Sequence, residues 1–188
     1  MLEKVIMAGF GGQGLLFMGK LVAQAMMNQG KHVTYFPSYG AEVRGGTANC
    51  HVIISDDDIH SPVADQASTL VIMNTLSYER FAASLQPDGL MFLNTSIVDK
   101  YEQTTGTIVP IAATDEANDL GNARVGNMIM MGAYVEARNL MSFDTLIEYL
   151  SKTLTTKKPE MLKVNIAAVT LGRRIVQQRV QTGELKLP

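Results

Sequence analysis

Val5-Ile6-Met7-Ala8-Gly9-Phe10-Gly11-Gly12-Gln13-Gly14 decides the fold. A short apolar run, Val5 to Ala8, breaks into a glycine cluster, and a helical pattern begins at Gly14. Leu15, Leu16, Met18, Leu21, Val22, Ala25 and Met26 recur at the spacing that lines one helix face across Gly14–Gln29. Gly30 is placed to end that helix, and Val33–Phe36 reads as a second strand. Strand, glycine turn, helix and strand make the opening unit of an α/β layer fold.

The alternation continues outward from this unit. Pro37–Thr47 holds Gly40, Gly45 and Gly46 without periodicity, and it is too short for a crossover helix. The next strand, Ala48–Ser55, is therefore free to run antiparallel and make the sheet mixed. Asp56-Asp57-Asp58 reads as a solvated hairpin end; it lacks the ordered ligand spacing of a cation site. Strands follow at Leu70–Met73, Leu90–Leu93 and Ile108–Ile111, with a helix at Tyr78–Leu85 and a turn at Pro87-Asp88-Gly89. The last third is helical over Val125–Arg138, Phe143–Leu154 and Pro159–Gln178, with a proline in the first turn of the last. The expected fold class is a three-layer α/β/α arrangement. Its sheet is mostly parallel and Rossmann-like, mixed if Ala48–Ser55 reverses, and its C-terminal third is helical. No repeat or linker interrupts residues 1–188, which read as a single domain.

Composition limits the function classes. Sixteen Lys and Arg against 18 Asp and Glu give a formal charge of −2, without the basic excess of a nucleic-acid-binding chain. No segment approaches the roughly 20 apolar residues that span a bilayer. The first residues lack a basic leader region and read as a strand, so a cytoplasmic location with no membrane association is expected. The single cysteine, Cys50, excludes an internal disulfide and any four-thiolate cluster or zinc site built from this chain alone. Methionine is abundant, at 12 residues, and Met128-Ile129-Met130-Met131 reads as part of a buried helix.

Gly9-Phe10-Gly11-Gly12-Gln13-Gly14 fits the G-x-G-x-x-G pattern in the context that a dinucleotide fingerprint requires. The second half of that fingerprint, an acid closing strand two, is missing: Tyr35-Phe36-Pro37-Ser38 stands there, and Glu42 lies inside the next loop. A tight turn without a ligand, an anion site at the helix N-terminus and a partner contact all remain open. In the second loop, Arg44 beside Gly45 and Gly46 can offer a guanidinium fork and backbone donors to phosphate or carboxylate, or can pair with Glu42. Ser38, Tyr39 and Thr47 add hydroxyls. His32, His51 and His60 have no metal-ligand spacing, and no nucleophile elbow exists. No catalytic residue and no metal site is expected in this chain.

Taken together, Ala8-Gly9-Phe10-Gly11-Gly12-Gln13-Gly14 and Pro37-Ser38-Tyr39-Gly40-Ala41-Glu42-Val43-Arg44-Gly45-Gly46-Thr47-Ala48-Asn49 resemble the two defining motifs of a known family. This is the gamma subunit, or gamma domain, of the pyruvate, 2-oxoglutarate and 2-oxoisovalerate ferredoxin oxidoreductases. Gly121-Asn122, the helix beginning near Asn127-Met128 and Asn165-Ile166-Ala167-Ala168 agree, so the resemblance runs over nearly the whole chain. It implies a complex that decarboxylates a 2-oxoacid oxidatively, makes acyl-CoA and reduces ferredoxin. It also implies thiamine diphosphate and Mg2+ between alpha and beta partners, and [4Fe-4S] clusters on other subunits, including a ferredoxin-like delta subunit. The gamma subunit holds none of these cofactors, and coenzyme A approaches this domain. On that reading Gly11, Gly12, Gln13, Gly14, Ser38, Tyr39, Arg44, Gly45, Gly46 and Thr47 either seat the coenzyme A phosphates or form a subunit interface. Gln13 would orient and Arg44 would supply charge. The short chain favours a 2-oxoglutarate or branched 2-oxoacid enzyme, with the indolepyruvate enzyme also open. Two other readings stand beside it: a free-standing nucleotide-binding oxidoreductase, and a purely structural assembly subunit.

Overall fold

The run Val5–Ala8 lies inside a longer strand, β1 (Leu2–Phe10), and all four side chains are buried. A strand apolar on both faces must be covered on both, which places it within a sheet. The computed structural model describes residues 1–40, 46–154 and 159–187. Its other strands are β2 (His32–Tyr39), β3 (Thr47–Ser55), β4 (Ala67–Ile72), β5 (Leu85–Asn94) and β6 (Thr107–Ile111). They form a six-stranded sheet in the order β2-β3-β1-β4-β5-β6. From β1 through β4 and β5 to β6 neighbours are parallel, whereas β3 is antiparallel to both β1 and β2. The sheet is mixed, and the reversed strand is the one that follows the short glycine-rich connection. Both outermost strands contain a proline, Pro37 in β2 and Pro110 in β6.

Helix α1 (Leu15–Met27) carries the chain from β1 to β2. Leu15, Met18, Leu21, Val22, Ala25 and Met26 are buried as one face. Each large aliphatic side chain buried this way contributes about 1.5–3 kcal/mol, so this face fixes the helix to the sheet. Gly19 permits the close approach: a Cβ there would stand 2.5 Å from Cys50 Sγ and 3.3 Å from the Tyr35 ring. Gly30, at φ 78°, ends the helical segment as expected. On the opposite sheet face, Tyr78 and Phe81 of α2 (Thr75–Phe81) pack on Ile6, Ala8, Leu70, Ile72, Met91 and Leu93. α2 begins earlier than its apolar pattern suggests because Asn74 caps it, accepting the Ser77 N–H at 2.8 Å.

Two local expectations change. Asp56–Asp58 does not close a hairpin; it leads from β3 to β4, which lie on either side of β1, and the Asp56 carboxylate pairs with Lys31. Pro87-Asp88-Gly89 lies within β5 rather than between elements. Pairing with β4 skips from Leu85, opposite Ala67, to Leu90, opposite Thr69, so the turn sequence stands as an irregularity inside the strand.

The chain divides into two compact units, Met1–Ile111 and Ala112–Pro188. The second contains α3 (Ala113–Asp119), α4 (Gly126–Arg138), α5 (Phe143–Leu154) and α6 (Pro159–Gln181). α3 has no sequence forecast because only Ala113 and Ala117 are buried, too few to show a period; Asp115 and Glu116 suit its first turn by opposing the helix dipole. α4 and α6 meet backbone to backbone. A Cβ on Gly132 would lie 2.0 Å from the Val169 carbonyl oxygen, and one on Gly172 would lie 1.8 Å from that of Ile129. Arg173 lies over the Phe143 ring at 4.5 Å and bonds Glu136 at 3.0 Å, tying all three long helices. Among the described residues no helix is long and apolar enough to cross a membrane.

Candidate functional site

After β1 the chain turns through α1 toward β2, on one side of the sheet order; after β4 it turns through α2 toward β5, on the other. A crevice opens where connections diverge like this, outside the carboxyl ends of adjacent parallel strands, and open α/β sheets bind ligands there. The glycine loop forms one wall. The start of α2 stands across from it at the end of β4, and Thr75 and Tyr78 of that helix, with Asp99, Lys100 and Tyr101, line an open groove of about 770 Å³ that no glycine-loop residue lines.

The glycines serve different ends. Gly12 and Gly14 have φ of 103° and 77°, which side chains resist, and Gly14 caps α1 without a side-chain bond. Gly9 is required for space: a Cβ would fall 2.3 Å from Gln13 Oε1 and 2.6 Å from a Leu15 methyl carbon. Several loop donors are satisfied inside the protein. The Phe10 N–H donates to Gln13 Oε1 at 2.6 Å, that of Gly11 to the Gly46 carbonyl at 2.9 Å, and that of Gln13 to the Phe10 carbonyl at 3.1 Å. The N–H groups of Leu15, Leu16 and Phe17, ahead of the Met18 N–H that bonds back to Gly14, have no partner within the helix.

The second motif meets the first through β3. Phe10 pairs with Thr47, and the Gly11–Gly46 bond extends that contact into the loops. Across β3, Ser38 pairs with Asn49 and Tyr39 with Ala48, while the Gly40 N–H donates to the Thr47 carbonyl at 2.7 Å. Gly11, Gly12, Gly14, Gly46 and Thr47 thus come together. Ser38 and Tyr39 lie two strand spacings from β1, about 9–10 Å away. Tyr39 is 72% exposed. Arg44 and Gly45 lie outside the described residues.

The same insertion of β3 separates this site from a dinucleotide fold. There, strand two adjoins strand one and its acid reaches the ribose. Here an antiparallel strand intervenes, so the end of β2 stands away from the glycine loop.

Other reactive groups are held in structural positions. Cys50 is buried, burial pushes its thiol up to about 12, and its Sγ contacts the Leu15 carbonyl at 3.7 Å, a setting unfit for cluster ligation. His51 is held below the ordinary imidazole value, first by burial and then by the Arg80 charge, with Asp65 opposing. Its Nδ1 accepts that N–H at 3.1 Å between the rings of Phe36 and Phe81. No group of three or more His, Cys, Asp or Glu side chains suited to a metal occurs among the described residues.

Three site residues escape a reading of motifs: Met73, Asn74 and Asn94. Asn94 is the last residue of β5 and Asn74 lies two residues beyond β4, both buried, and the carbonyl of Met73 accepts from both Asn94 Nδ2 and Gln13 Nε2 at 3.4 Å. Their signal is positional, an asparagine closing each of two successive apolar strands.

Residues 4–175 match the family described as pyruvate ferredoxin/flavodoxin oxidoreductase. This chain belongs to that family. Ketoisovalerate oxidoreductase subunit VorA of Methanothermobacter thermautotrophicus is 33% identical over 184 residues, which is 97% of this chain and 38% of the relative. The VorA of Methanothermobacter marburgensis is 36% identical over 129 residues, 69% of this chain and 27% of the relative. The chain therefore spans well under half the length of these two relatives. The 2-oxoglutarate synthase subunit KorC of M. marburgensis is 28% identical, with 95% of this chain and 98% of the relative aligned.

Among solved structures, the 2-oxoglutarate:ferredoxin oxidoreductase of Magnetococcus marinus, with 2-oxoglutarate, coenzyme A and succinyl-CoA bound, superimposes at a TM-score of 0.87 and 25% identity. The match covers 94% of this chain and 31% of that one. Pyruvate oxidoreductase subunit PORC of Thermotoga maritima matches at 0.76 and 25% identity, covering 94% of this chain and 96% of that one. The expected likeness to gamma subunits of 2-oxoacid:ferredoxin oxidoreductases holds. In this oxidoreductase-family chain the later motif segments serve local structure. Gly121 sits at φ 80°, Asn122 Oδ1 accepts the Arg124 N–H at 3.1 Å, and Asn165 Nδ2 donates to the Met161 carbonyl at 2.6 Å.

Proposed function

We propose that the chain acts as the gamma subunit of a cytoplasmic heteromeric 2-oxoacid:ferredoxin oxidoreductase, with alpha, beta and ferredoxin-like delta partners. The complex converts a 2-oxoacid anion and coenzyme A to acyl-CoA, CO2 and a proton, and passes two electrons to ferredoxin. Relatives named for ketoisovalerate and for 2-oxoglutarate favour a branched 2-oxoacid or 2-oxoglutarate as substrate. Thiamine diphosphate, Mg2+ and [4Fe-4S] clusters belong to the partner subunits, where the thiamine supplies the electron sink for decarboxylation. The two units Met1–Ile111 and Ala112–Pro188 together make one gamma domain, since the family match crosses the boundary between them.

Within this chain, the surface formed by Gly12, Gly14, Gly46 and Thr47, on the β3 side of the crevice, seats the coenzyme A phosphates, and Arg44 supplies the charge. The observation that carries this role is the Gly11 N–H to Gly46 carbonyl bond of 2.9 Å, which joins the two glycine motifs into one surface at the N-terminus of α1. The first-turn donors and the helix dipole favour an anion there. A second reading, an interface lock, draws on a different observation: the N–H groups of Phe10, Gly11 and Gln13 are spent internally, which leaves fewer donors for phosphate.

The test is anaerobic isolation of the tagged chain from its native extract, assayed for coenzyme A-dependent viologen reduction across a panel of 2-oxoacids. Arg44→Ala should raise the apparent KM for coenzyme A, or loosen assembly if the interface reading holds. A fully assembled Arg44→Ala enzyme with unchanged kinetics refutes both roles. Recovery of the chain alone with a bound nucleotide would instead favour a free-standing oxidoreductase.

A further inference from the structure

We infer that Gln13 is a positioning residue: its carboxamide is wedged between the carboxyl ends of β1 and β4 and sets the width of the crevice. The parallel ladder between these strands pairs Val5 with Thr69 through Ala8 with Ile72, and the Met73 N–H then donates to the Ala8 carbonyl at 2.9 Å. In a parallel ladder the next bond would run from the Phe10 N–H to the Met73 carbonyl. That bond is replaced. The Phe10 N–H donates to Gln13 Oε1 at 2.6 Å, and Gln13 Nε2 donates to the Met73 carbonyl at 3.4 Å. One amide therefore takes both groups that would have closed the strands, and it holds them apart by its own breadth.

Three neighbouring features support this. Gly9 stands where any Cβ would strike the amide, 2.3 Å from Oε1, and it lies close to Met73, whose Cβ would be 3.0 Å away. The first glycine of the motif thus makes room for the wedge rather than for a ligand. The Gln13 N–H returns to the Phe10 carbonyl at 3.1 Å, so the side chain is anchored to the residue whose N–H it receives. Asn94 Nδ2 reaches the same Met73 carbonyl at 3.4 Å, fixing the far side of the gap from β5. Each end of the Gln13 amide holds one backbone group of the protein, so it acts through the placement of the Gly11–Gly14 turn.

The role of the crevice in coenzyme A binding rests on the function proposed above, and the experiment separates the two. Gln13→Ala and Gln13→Glu chains are assembled into the enzyme. Crystal structures then report the Phe10 N to Met73 O separation, and steady-state kinetics report KM for coenzyme A against kcat. With Gln13→Ala the ladder should close by one bond, the crevice narrow, and KM rise roughly tenfold or more while kcat stays within about twofold. Gln13→Glu keeps the Phe10 bond but sets a carboxylate oxygen against the Met73 carbonyl. It should therefore widen the gap, and its KM should fall back toward wild type as the pH drops and the acid regains a donor proton. An unmoved Phe10–Met73 separation in both variants overturns the wedge. A closed ladder with unchanged KM upholds the wedge and overturns the coenzyme A reading of the crevice.

Discussion

Replacing Gly172 by alanine puts a methyl group where a carbonyl already stands. The added Cβ would lie 1.8 Å from the Ile129 oxygen, 2.8 Å from its carbon and 2.9 Å from the Ala133 nitrogen. Real Cβ contacts begin near 3.0 Å, so α4 and α6 must part by at least about 1.2 Å at their crossing. All three obstacles are backbone, and no rotamer change relieves them. Overpacking costs about 1–3 kcal/mol where side chains can yield, and the upper end applies here. Parting the helices also forfeits about a quarter to a half of each contact well along the seam. Helix propensity works the other way, favouring alanine by about 1 kcal/mol. The net loss is about 2 kcal/mol or more, a large share of the 5–15 kcal/mol typical of a folded chain. For a chain of this size that lowers Tm by about 4–8 °C. Thermal unfolding of the full chain, followed by circular dichroism, measures it directly. A Gly172→Ala chain as stable as the parent, or more stable, would mean that propensity outweighs the crossing and that the helices do not meet as described.

Other outcomes follow from single contacts. His51 is held below its ordinary value, so the folded chain binds fewer protons there than the unfolded one; stability is complete above about pH 6.5 and is lost as the pH falls toward the folded value. Urea midpoints at pH 7.5 and 5.5 should differ in the parent, and His51→Phe should remove that share of the difference. Cys50, buried with its thiol raised to about 12, should resist a thiol reagent in the native chain at pH 8 and react once unfolded; native labelling at the rate of a free thiol would refute its burial. Asn74→Ala removes the cap of α2 and should cost about 1 kcal/mol in denaturant unfolding. No measurable loss would show that the Ser77 N–H finds another acceptor.

The sequence discloses those parts of the structure that short-range physics governs. Val5–Ala8 announces a central strand because both its faces are apolar, and α1 follows because its apolar residues keep a helical period. The reversal of β3 is legible from loop length alone, since Pro37–Thr47 cannot hold a crossover. α3 stays hidden because a short helix with two buried alanines leaves no periodic trace. The glycine motif is legible as a turn but misleading as a nucleotide signature, because strand order, which no local pattern encodes, sets β3 between β1 and β2. The role of Gln13 is least legible of all. Its partner at Met73 lies sixty residues away and offers only a backbone carbonyl, so nothing about the side chain of Met73 advertises the contact.

Pro37 and Pro110 bear on how this chain behaves without company. The outer margins of a sheet are templates on which a second molecule can add a strand, and each proline deletes one donor from such a margin. Strand addition by a second molecule is thereby disfavoured at both margins, so contacts that this chain makes with another copy of itself would have to run through side chains.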